Sequence, residues 1–147
     1  MGFRVTRRAQ ASWQGNVEAG GGRLALGSGA FEGAYSLKAR VEEGLPATNP
    51  EELLAAAEAG CFTMSLANLL GKAGHDARSI QTSARARLEQ VGDAFNITLI
   101  ELSTTADVPG LEPERFAEIA RAAKDCTVSR ALTGTEITLA ASLAAGD

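Results

Sequence analysis

The longest apolar stretch of the chain lies between Asn49 and Lys72. Apolar and small residues recur there at steps of three and four positions and fill much of the space between, which is typical of an α-helix that is apolar on nearly every side. Asn49 or Thr48 can cap its start, and Gly74 is a stop signal. We therefore predict a helix over 49–72 that is buried on most sides. At about 1.5 Å per residue it would be about 35 Å long, more than one chain of this size can readily cover.

Alternation of apolar and polar residues predicts six strands, three on each side of this helix. The predicted strands cover 3–17, 23–26, 35–41, 78–91, 94–106 and 135–143. Turn residues at 19–22 and 92–93 indicate two hairpins, one joining the first two strands and the other joining the fourth and fifth. The strands thus fall into two groups separated by the long helix.

Two further helices are predicted between the fifth strand and the last. Residues 113–124 have an amphipathic pattern that turns Phe116, Ile119 and Ala123 inward, and a short helix is predicted over 125–132. The predicted fold class is α+β, with three strands, a long helix, a hairpin, a helix pair and a closing strand in that order. A chain of 147 residues without repeats or linkers is expected to form one domain, 1–147.

The composition is that of an ordinary globular protein, and it narrows the range of partners. Hydrophobic residues make up 45% of the chain and charged residues 22%. A net charge of −4 provides no basic patch, so nucleic acid is not expected as a partner. The long apolar stretch contains Glu51, Glu52, Glu58 and Lys72, which predicts a poor membrane span, and no signal-peptide pattern opens the chain. A cytoplasmic location without a membrane partner is therefore expected.

Two cysteines are the residues with the clearest candidate chemistry. Cys61 lies in the middle of the long helix, and Cys126 lies at the predicted start of the short one, where backbone N–H groups and the helix dipole favour a thiolate. From composition alone, the more common interpretation is that Cys61 is an inert buried hydrophobe and Cys126 a partly buried capping residue. His75 is the only histidine and no Cys-x-x-Cys spacing occurs, so a metal site is weakly supported.

Several short segments, taken together, match a known family. They are TNPEEL at 48–53, AGCF at 59–62 and KDCTVS at 124–129, with the two cysteines at the family's spacing. On these residues the chain resembles, over nearly its whole length, the family of osmotically inducible protein C and the organic hydroperoxide resistance proteins (OsmC/Ohr).

Smaller features place the chain within that family and mark its departures from it. SLKARVE at 36–42 is more similar to the osmotically inducible branch, since the other branch draws its arginine from nearer the N-terminus. Thr127 stands where the family usually has proline, and Gly60 where it often has alanine or serine. Because proline at the first helical position helps to fix a helix start, the turn at Cys126 is expected to be less rigid.

The resemblance implies a thiol peroxidase of the peroxiredoxin type, with no metal or organic cofactor. Cys61 would attack an organic hydroperoxide as a thiolate, giving an alcohol and a sulfenic acid, and hydrogen peroxide would be a poorer substrate. Cys126 would then form a disulfide with Cys61, and an external dithiol such as a dihydrolipoyl protein would reduce it. Arg40 would supply the positive charge that a thiolate in an apolar helix needs, held by Glu51 in a fork-to-fork pair. Taken by themselves, Arg40 is an ordinary charge on the solvent face of a strand and Glu51 a helix-capping acid.

The resemblance also implies a homodimer, and a distance argument agrees with it. Glu51 and Cys61 lie about 15 Å apart along one straight α-helix, at about 1.5 Å per residue, which a glutamate side chain cannot span. A Glu51 near Cys61 must therefore come from elsewhere, or the first turn of the helix must unwind. Two apolar helices that meet antiparallel about a two-fold axis would place Glu51 beside the partner subunit's Cys61. The same pairing would cover the apolar surface that one chain leaves open.

Two other classes of function stay open. One is a non-catalytic binding module for an apolar, lipid-like ligand, and the other is a stress-related structural dimer without turnover. Rapid loss of thiols after addition of a stoichiometric hydroperoxide separates the enzyme from both, because neither alternative needs a reactive cysteine.

Overall fold

The computed structural model of the chain describes residues 2–145, which hold six strands and four helices. The strands are β1 (Ala9–Gln14), β2 (Gly21–Leu26), β3 (Glu32–Tyr35), β4 (Ser79–Val91), β5 (Ala94–Asp107) and β6 (Glu136–Leu143). The helices are α1 (Leu37–Val41), α2 (Pro50–Lys72), α3 (Pro113–Ala123) and α4 (Thr127–Ala131). They fall into two compact units, divided after Leu53, each with a three-stranded sheet. The predicted α+β class is confirmed, whereas the single domain over 1–147 stays a prediction.

The N-terminal unit is built on an antiparallel sheet in the order β1-β2-β3. The predicted hairpin is confirmed, with Ala9 opposite Leu26. β1 is shorter than the predicted 3–17 because β2 stops at the turn over 27–30, which leaves residues 3–8 without a strand to pair with. Hydrogen bonding to a neighbour, and not alternation alone, therefore sets the length of this strand.

The strand predicted over 35–41 is wrong. β3 ends at Tyr35, and the next residues form α1. The Ser36 hydroxyl accepts a hydrogen bond from the Ala39 N–H at 3.0 Å, so Ser36 caps this helix. Ala39 is 6% exposed and Val41 67% exposed, although a strand would have placed both on one face. The segment is too short for alternation to distinguish strand from helix, and the local cap decides the conformation.

The C-terminal unit contains a sheet in the order β4-β5-β6. β4 and β5 form the predicted long hairpin around Gly92, whose φ of +64° is one that glycine adopts without strain. β6 lies parallel to β5, with Leu99 opposite Glu136. A parallel neighbour requires a crossover, which α3 and α4 supply. The predicted helix pair and closing strand are confirmed and differ from prediction only at their ends.

The core of this unit lies between α2, α3 and the sheet. Phe62, Leu66 and Leu70 recur every four residues on α2 and are fully buried. The same cluster contains Leu102, Ala106, Val108, Phe116, Ile119, Ala120 and Ala123. Other parts of α2 are open to solvent in this chain, with Met64 76% exposed. One chain therefore does not bury α2 on most sides, in agreement with the expectation that a helix of this length is more than one chain can cover.

Helix α2 begins where the sequence predicts. The Asn49 Oδ1 accepts a hydrogen bond from the Glu52 N–H at 2.8 Å, so Asn49 is its N-cap. α2 is long and apolar enough to cross a membrane, judged by length and composition alone. Core helices of soluble proteins meet the same two criteria. The expectation of a poor span counted four charged residues, but Glu51, Glu52 and Lys72 lie at the ends of the helix, which leaves Glu58 in its interior.

Candidate active site

Cys61 and Cys126 form the first pair of candidate residues, and both belong to the C-terminal unit. Cys61 lies near the middle of α2 and is half-buried, whereas Cys126 is buried with 4% of its surface exposed. Both thiols are free. The Cys61 side chain lies close enough to Cys126 to affect the pKa of the Cys126 thiol. The structure therefore brings the two predicted cysteines together, with the one on α2 more open to a substrate.

Cys126 is the N-cap residue of α4, as the sequence predicts. Its carbonyl accepts the Arg130 N–H at 3.0 Å, the first bond of that helix. Thr127 takes the first helical position, and α4 forms without a proline there. The Cys126 thiol lies 3.3 Å from the Ser129 hydroxyl one turn further on.

A buried carboxyl group borders Cys126. Glu58 is fully buried, and its Oε1 accepts hydrogen bonds from the Ser129 hydroxyl at 2.5 Å and from the Cys126 thiol at 3.7 Å. Within residues 2–145, Glu58 Oε2 has no hydrogen-bond partner. One turn of α2 separates Glu58 from Cys61, so the two side chains project from neighbouring positions of the helix surface. Glu58, Cys126 and Ser129 thus form a continuous polar cluster inside the C-terminal unit.

The surroundings of Cys126 favour its neutral thiol. Burial raises the pKa of Cys126, while hydrogen bonds with the side chain and backbone of Ser129 lower it. Interaction with the Cys61 side chain and the negative charge of Glu58 raise the pKa further, and the net direction is upward. The backbone at the helix start lowers the pKa of Cys126, as the sequence predicts, but burial outweighs this effect. α4 has only five residues, and the cost of desolvating the thiolate is larger than the stabilisation of negative charge by the N-terminus of so short a helix.

Arg40 and Glu51 form the second pair, within the N-terminal unit. Arg40 lies on α1, and not on a strand as predicted, while Glu51 lies in the first turn of α2. Arg40 donates from Nε at 2.8 Å and from Nη2 at 2.5 Å, and both bonds end on Glu51 Oε1. The ion pair is present, but the predicted fork-to-fork geometry is wrong, because Oε2 of the buried Glu51 has no hydrogen-bond partner within residues 2–145.

Sequence reasoning missed Glu58 and Ser129. The signal was their spacing, since Glu58 precedes Cys61 by one helical turn and Ser129 follows Cys126 by one turn. A charged residue inside an otherwise apolar helix is costly to bury unless it has a partner. Its position in the interior of the predicted helix therefore also distinguished Glu58 from Glu51 and Glu52, which lie at the helix end.

Comparison with known proteins identifies the family. A family model described as OsmC-like protein matches residues 42–141. The chain belongs to the OsmC-like protein family. Peroxiredoxin OsmC of Escherichia coli strain K12 is 40% identical over 137 residues, covering 92% of this chain and 94% of that relative. The relative of the same name from Shigella flexneri has the same identity and coverage.

Solved structures share the fold. An organic hydroperoxide resistance protein of Elizabethkingia anophelis, with thiocyanate bound, has a TM-score of 0.79 at 24% identity and covers 98% of this chain and 100% of its own. A Legionella pneumophila organic hydroperoxide resistance protein has a TM-score of 0.69 at 21% identity and covers 96% of this chain and 98% of its own. This chain therefore has the same fold as these solved structures.

Proposed function

We propose that this protein is a thiol-dependent peroxidase that reduces organic hydroperoxides to alcohols, and hydrogen peroxide less well. The observation that carries the proposal is the pair of free cysteines in the C-terminal unit, one half-buried and one buried beside it. The Escherichia coli relative bears the name peroxiredoxin, and the Elizabethkingia anophelis protein is described as a hydroperoxide resistance protein. Both descriptions agree with the chemistry of two neighbouring thiols.

In the proposed first step, the Cys61 thiolate attacks the terminal oxygen of the hydroperoxide. The O–O bond breaks, Cys61 becomes a sulfenic acid, and the departing alkoxide takes a proton to become the alcohol. Arg40 is the proposed source of positive charge for the thiolate and for the departing oxygen, and Glu51 orients it through the ion pair. Cys61 suits this role better than Cys126 because it is the more exposed sulfur.

In the proposed second step, Cys126 attacks the sulfur of the Cys61 sulfenic acid. The S–O bond breaks, water leaves, and a Cys61–Cys126 disulfide remains, which protects Cys61 from further oxidation. An external dithiol, such as that of a dihydrolipoyl protein, then restores both thiols by exchange. No metal or organic cofactor takes part in the proposed cycle.

We also propose that the active form is a homodimer in the cytoplasm. α2 leaves Met64 and other apolar side chains exposed in one chain, and a second copy about a two-fold axis would cover them. Because Arg40 and Glu51 are bonded to each other, they would act as a unit on the partner subunit's Cys61. This arrangement agrees with the separation of Glu51 and Cys61 along α2, which is about 15 Å at about 1.5 Å per residue.

A peroxidase assay tests the proposal directly. Reduced protein is mixed with t-butyl or cumene hydroperoxide and an excess of a dithiol, and peroxide consumption is followed. The unsubstituted chain is expected to turn over, and Cys61→Ser is expected to abolish consumption because no thiolate is left to accept the oxygen. Normal turnover by Cys61→Ser would exclude the assignment. Intact thiols after addition of one equivalent of peroxide to the unsubstituted chain would favour a binding module or a structural dimer.

A further inference from the structure

The carboxyl group of Glu58 occupies an unusual position for a charged side chain. It is fully buried, and one of its oxygens has no hydrogen-bond partner within residues 2–145. Its other oxygen accepts hydrogen bonds from Ser129 and from the Cys126 thiol. A group with a purely structural role at this place would be more stable if it were apolar, since burying an incompletely bonded carboxyl group is costly. Its position against a sulfur atom therefore calls for a chemical explanation.

The polar cluster gives the proton of Cys126 two routes to Glu58. The direct route is the hydrogen bond from the Cys126 thiol to Oε1, at 3.7 Å. The second passes through the Ser129 hydroxyl, which lies 3.3 Å from the Cys126 sulfur and donates to Glu58 Oε1 at 2.5 Å. A hydroxyl group can accept one proton while it donates another, so Ser129 can link the thiol to the carboxylate.

We propose that Glu58 is the general base of disulfide formation in this protein. It takes the thiol proton of Cys126, directly or through Ser129, as the Cys126 sulfur attacks the Cys61 sulfenic acid. The S–S bond forms, the S–O bond of the sulfenic acid breaks, and the proton held by Glu58 passes to the departing hydroxide, which leaves as water. Cys126 is oxidised and the sulfenic sulfur reduced, so no further reactant is needed. The inference rests on the proposed function, which supplies the sulfenic acid.

The state of Cys126 explains why a base is needed. Burial raises the pKa of Cys126, so the sulfur is held mainly as a thiol, and a thiol is a poor nucleophile. A base that removes the proton only while the S–S bond forms avoids the cost of a buried free thiolate. Its location near Cys61 on α2 also lets Glu58 return the proton to the hydroxide that leaves that sulfur.

Single-turnover kinetics of Glu58→Gln test the proposal. Glutamine keeps the shape and the acceptor for Ser129 but does not take up a proton. Reduced protein is mixed with one equivalent of cumene hydroperoxide and quenched at intervals with a thiol-alkylating reagent and a sulfenic-acid trap, and the products are counted by mass spectrometry. Formation of the Cys61 sulfenic acid is expected at the unsubstituted rate. Disulfide formation is expected to slow by about 10²-fold or more, the usual effect of a general base.

Glu114→Gln is the matched control, because Glu114 is an exposed carboxyl group in the first turn of α3. It is expected to leave both steps unchanged. The pH dependence of the slow step gives a readout that a structural role would not move. Within residues 2–145, Glu58 and Cys61 are the ionisable groups that act on the Cys126 thiol. With Glu58 replaced, disulfide formation is expected to accelerate as pH rises and Cys126 ionises unaided, since the charge of the Arg40 proposed to lie beside Cys61 does not change with pH.

Equal slowing of both steps in Glu58→Gln would show that Glu58 only supports the fold and would overturn the proposal, as would an unchanged rate of disulfide formation. Absence of both sulfenic acid and disulfide in the unsubstituted chain would instead overturn the proposed function, and this inference with it. If Glu58→Gln does not fold, the pH dependence of the disulfide step in the unsubstituted chain decides. A rate that stays level while Cys126 is still a thiol supports a base within the protein, and a rate that rises about tenfold per pH unit, as unaided ionisation of Cys126 requires, contradicts it.

Discussion

At Cys126 two local effects oppose each other. The start of a helix stabilises negative charge on a capping residue, whereas removal of the sulfur from water destabilises it. Desolvation is the larger effect, because Cys126 is 4% exposed and α4 is a helix of five residues. In the proposed cycle, the resolving sulfur of Cys126 would therefore stay neutral until a base removes its proton, while the half-buried Cys61 would react with the peroxide.

A titration of Cys126 checks this balance. In Cys61→Ser, which leaves Cys126 as the one thiol in the chain, ultraviolet absorbance of the thiolate is followed against pH. Burial is the largest cause of the raised pKa of Cys126, so the midpoint is expected to lie above that of the same protein unfolded in denaturant. Since the folded state then binds the proton more tightly, the stability that Cys126 contributes is present at neutral pH and declines as pH rises through the folded pKa. A midpoint at or below the unfolded value would contradict the account.

At the scale of single residues, the sequence identified the cysteines but not their polar neighbours. Cys61 and Cys126 stood out because they are the two cysteines of the chain and lie in recognisable segments. Glu58 was counted only as a charge against a membrane span. The environment of Glu58 depends on a contact with residues at the start of α4, more than sixty positions later in the chain. A local sequence pattern does not contain that information.

Among the elements, local capping and long periodic patterns were good guides, and short alternating segments were not. Asn49 marked the start of α2, and the long hairpin of β4 and β5 followed from alternation on both sides of Gly92. Residues 35–41 alternate equally well, but Ser36 caps a helix there. Seven positions are too few for the pattern to distinguish a strand from a helix, so the hydrogen bond from the Ala39 N–H to Ser36 determines the structure.

The sheet of the N-terminal unit has a position at which a methyl group should be damaging. Trp13 and Tyr35 pack edge to face with ring centres 5.3 Å apart. A Cβ atom on Gly22 would collide with both rings and with the Ser12 carbonyl oxygen. Gly22→Ala is therefore expected to lower the free energy of unfolding by about 1–3 kcal/mol, the usual cost of overpacking.

Urea unfolding of Gly22→Ala beside Gly134→Ala provides the measurement. Gly134 has no heavy atom within 4 Å of a Cβ built on it and does not have a positive φ, so its substitution controls for the change of residue type alone. A midpoint for Gly22→Ala no lower than that of Gly134→Ala would show that the two rings adapt without cost and would reject this packing argument.

At the scale of the whole molecule, the open surface of α2 is the main departure from a self-sufficient chain. Met64 is 76% exposed in the middle of the most apolar helix, although Phe62 and Leu66 beside it are fully buried. The same helical face holds further exposed residues that are small and uncharged, namely Ala57, Gly60 and Ala67. A contiguous uncovered apolar face of this kind usually marks an interface. The sequence indicated a dimer from the length and apolarity of α2, and the exposure of Met64 supports that proposal independently of the family resemblance.

Mixing two inactive chains tests whether the proposed dimer assembles its site from both subunits. Cys61→Ser and Glu51→Ala chains are denatured together, refolded, and assayed for peroxide consumption. Each mixed dimer is expected to regain one working site, because the Cys61→Ser chain still supplies an intact Arg40–Glu51 pair to the partner's Cys61. Each variant refolded alone is the control. Proven subunit exchange without recovered activity would contradict the contribution of Glu51 across the two-fold axis.

In the proposed cycle, Cys61 and Cys126 of one chain are oxidised and reduced together. Reduced protein is treated with one equivalent of an organic hydroperoxide, digested without reducing agent, and analysed by mass spectrometry. The account predicts an intramolecular Cys61–Cys126 disulfide, formed without unfolding, since the Cys61 side chain already lies close enough to affect the pKa of Cys126. A disulfide between different chains only, or two free thiols after the peroxide has been added, would contradict it.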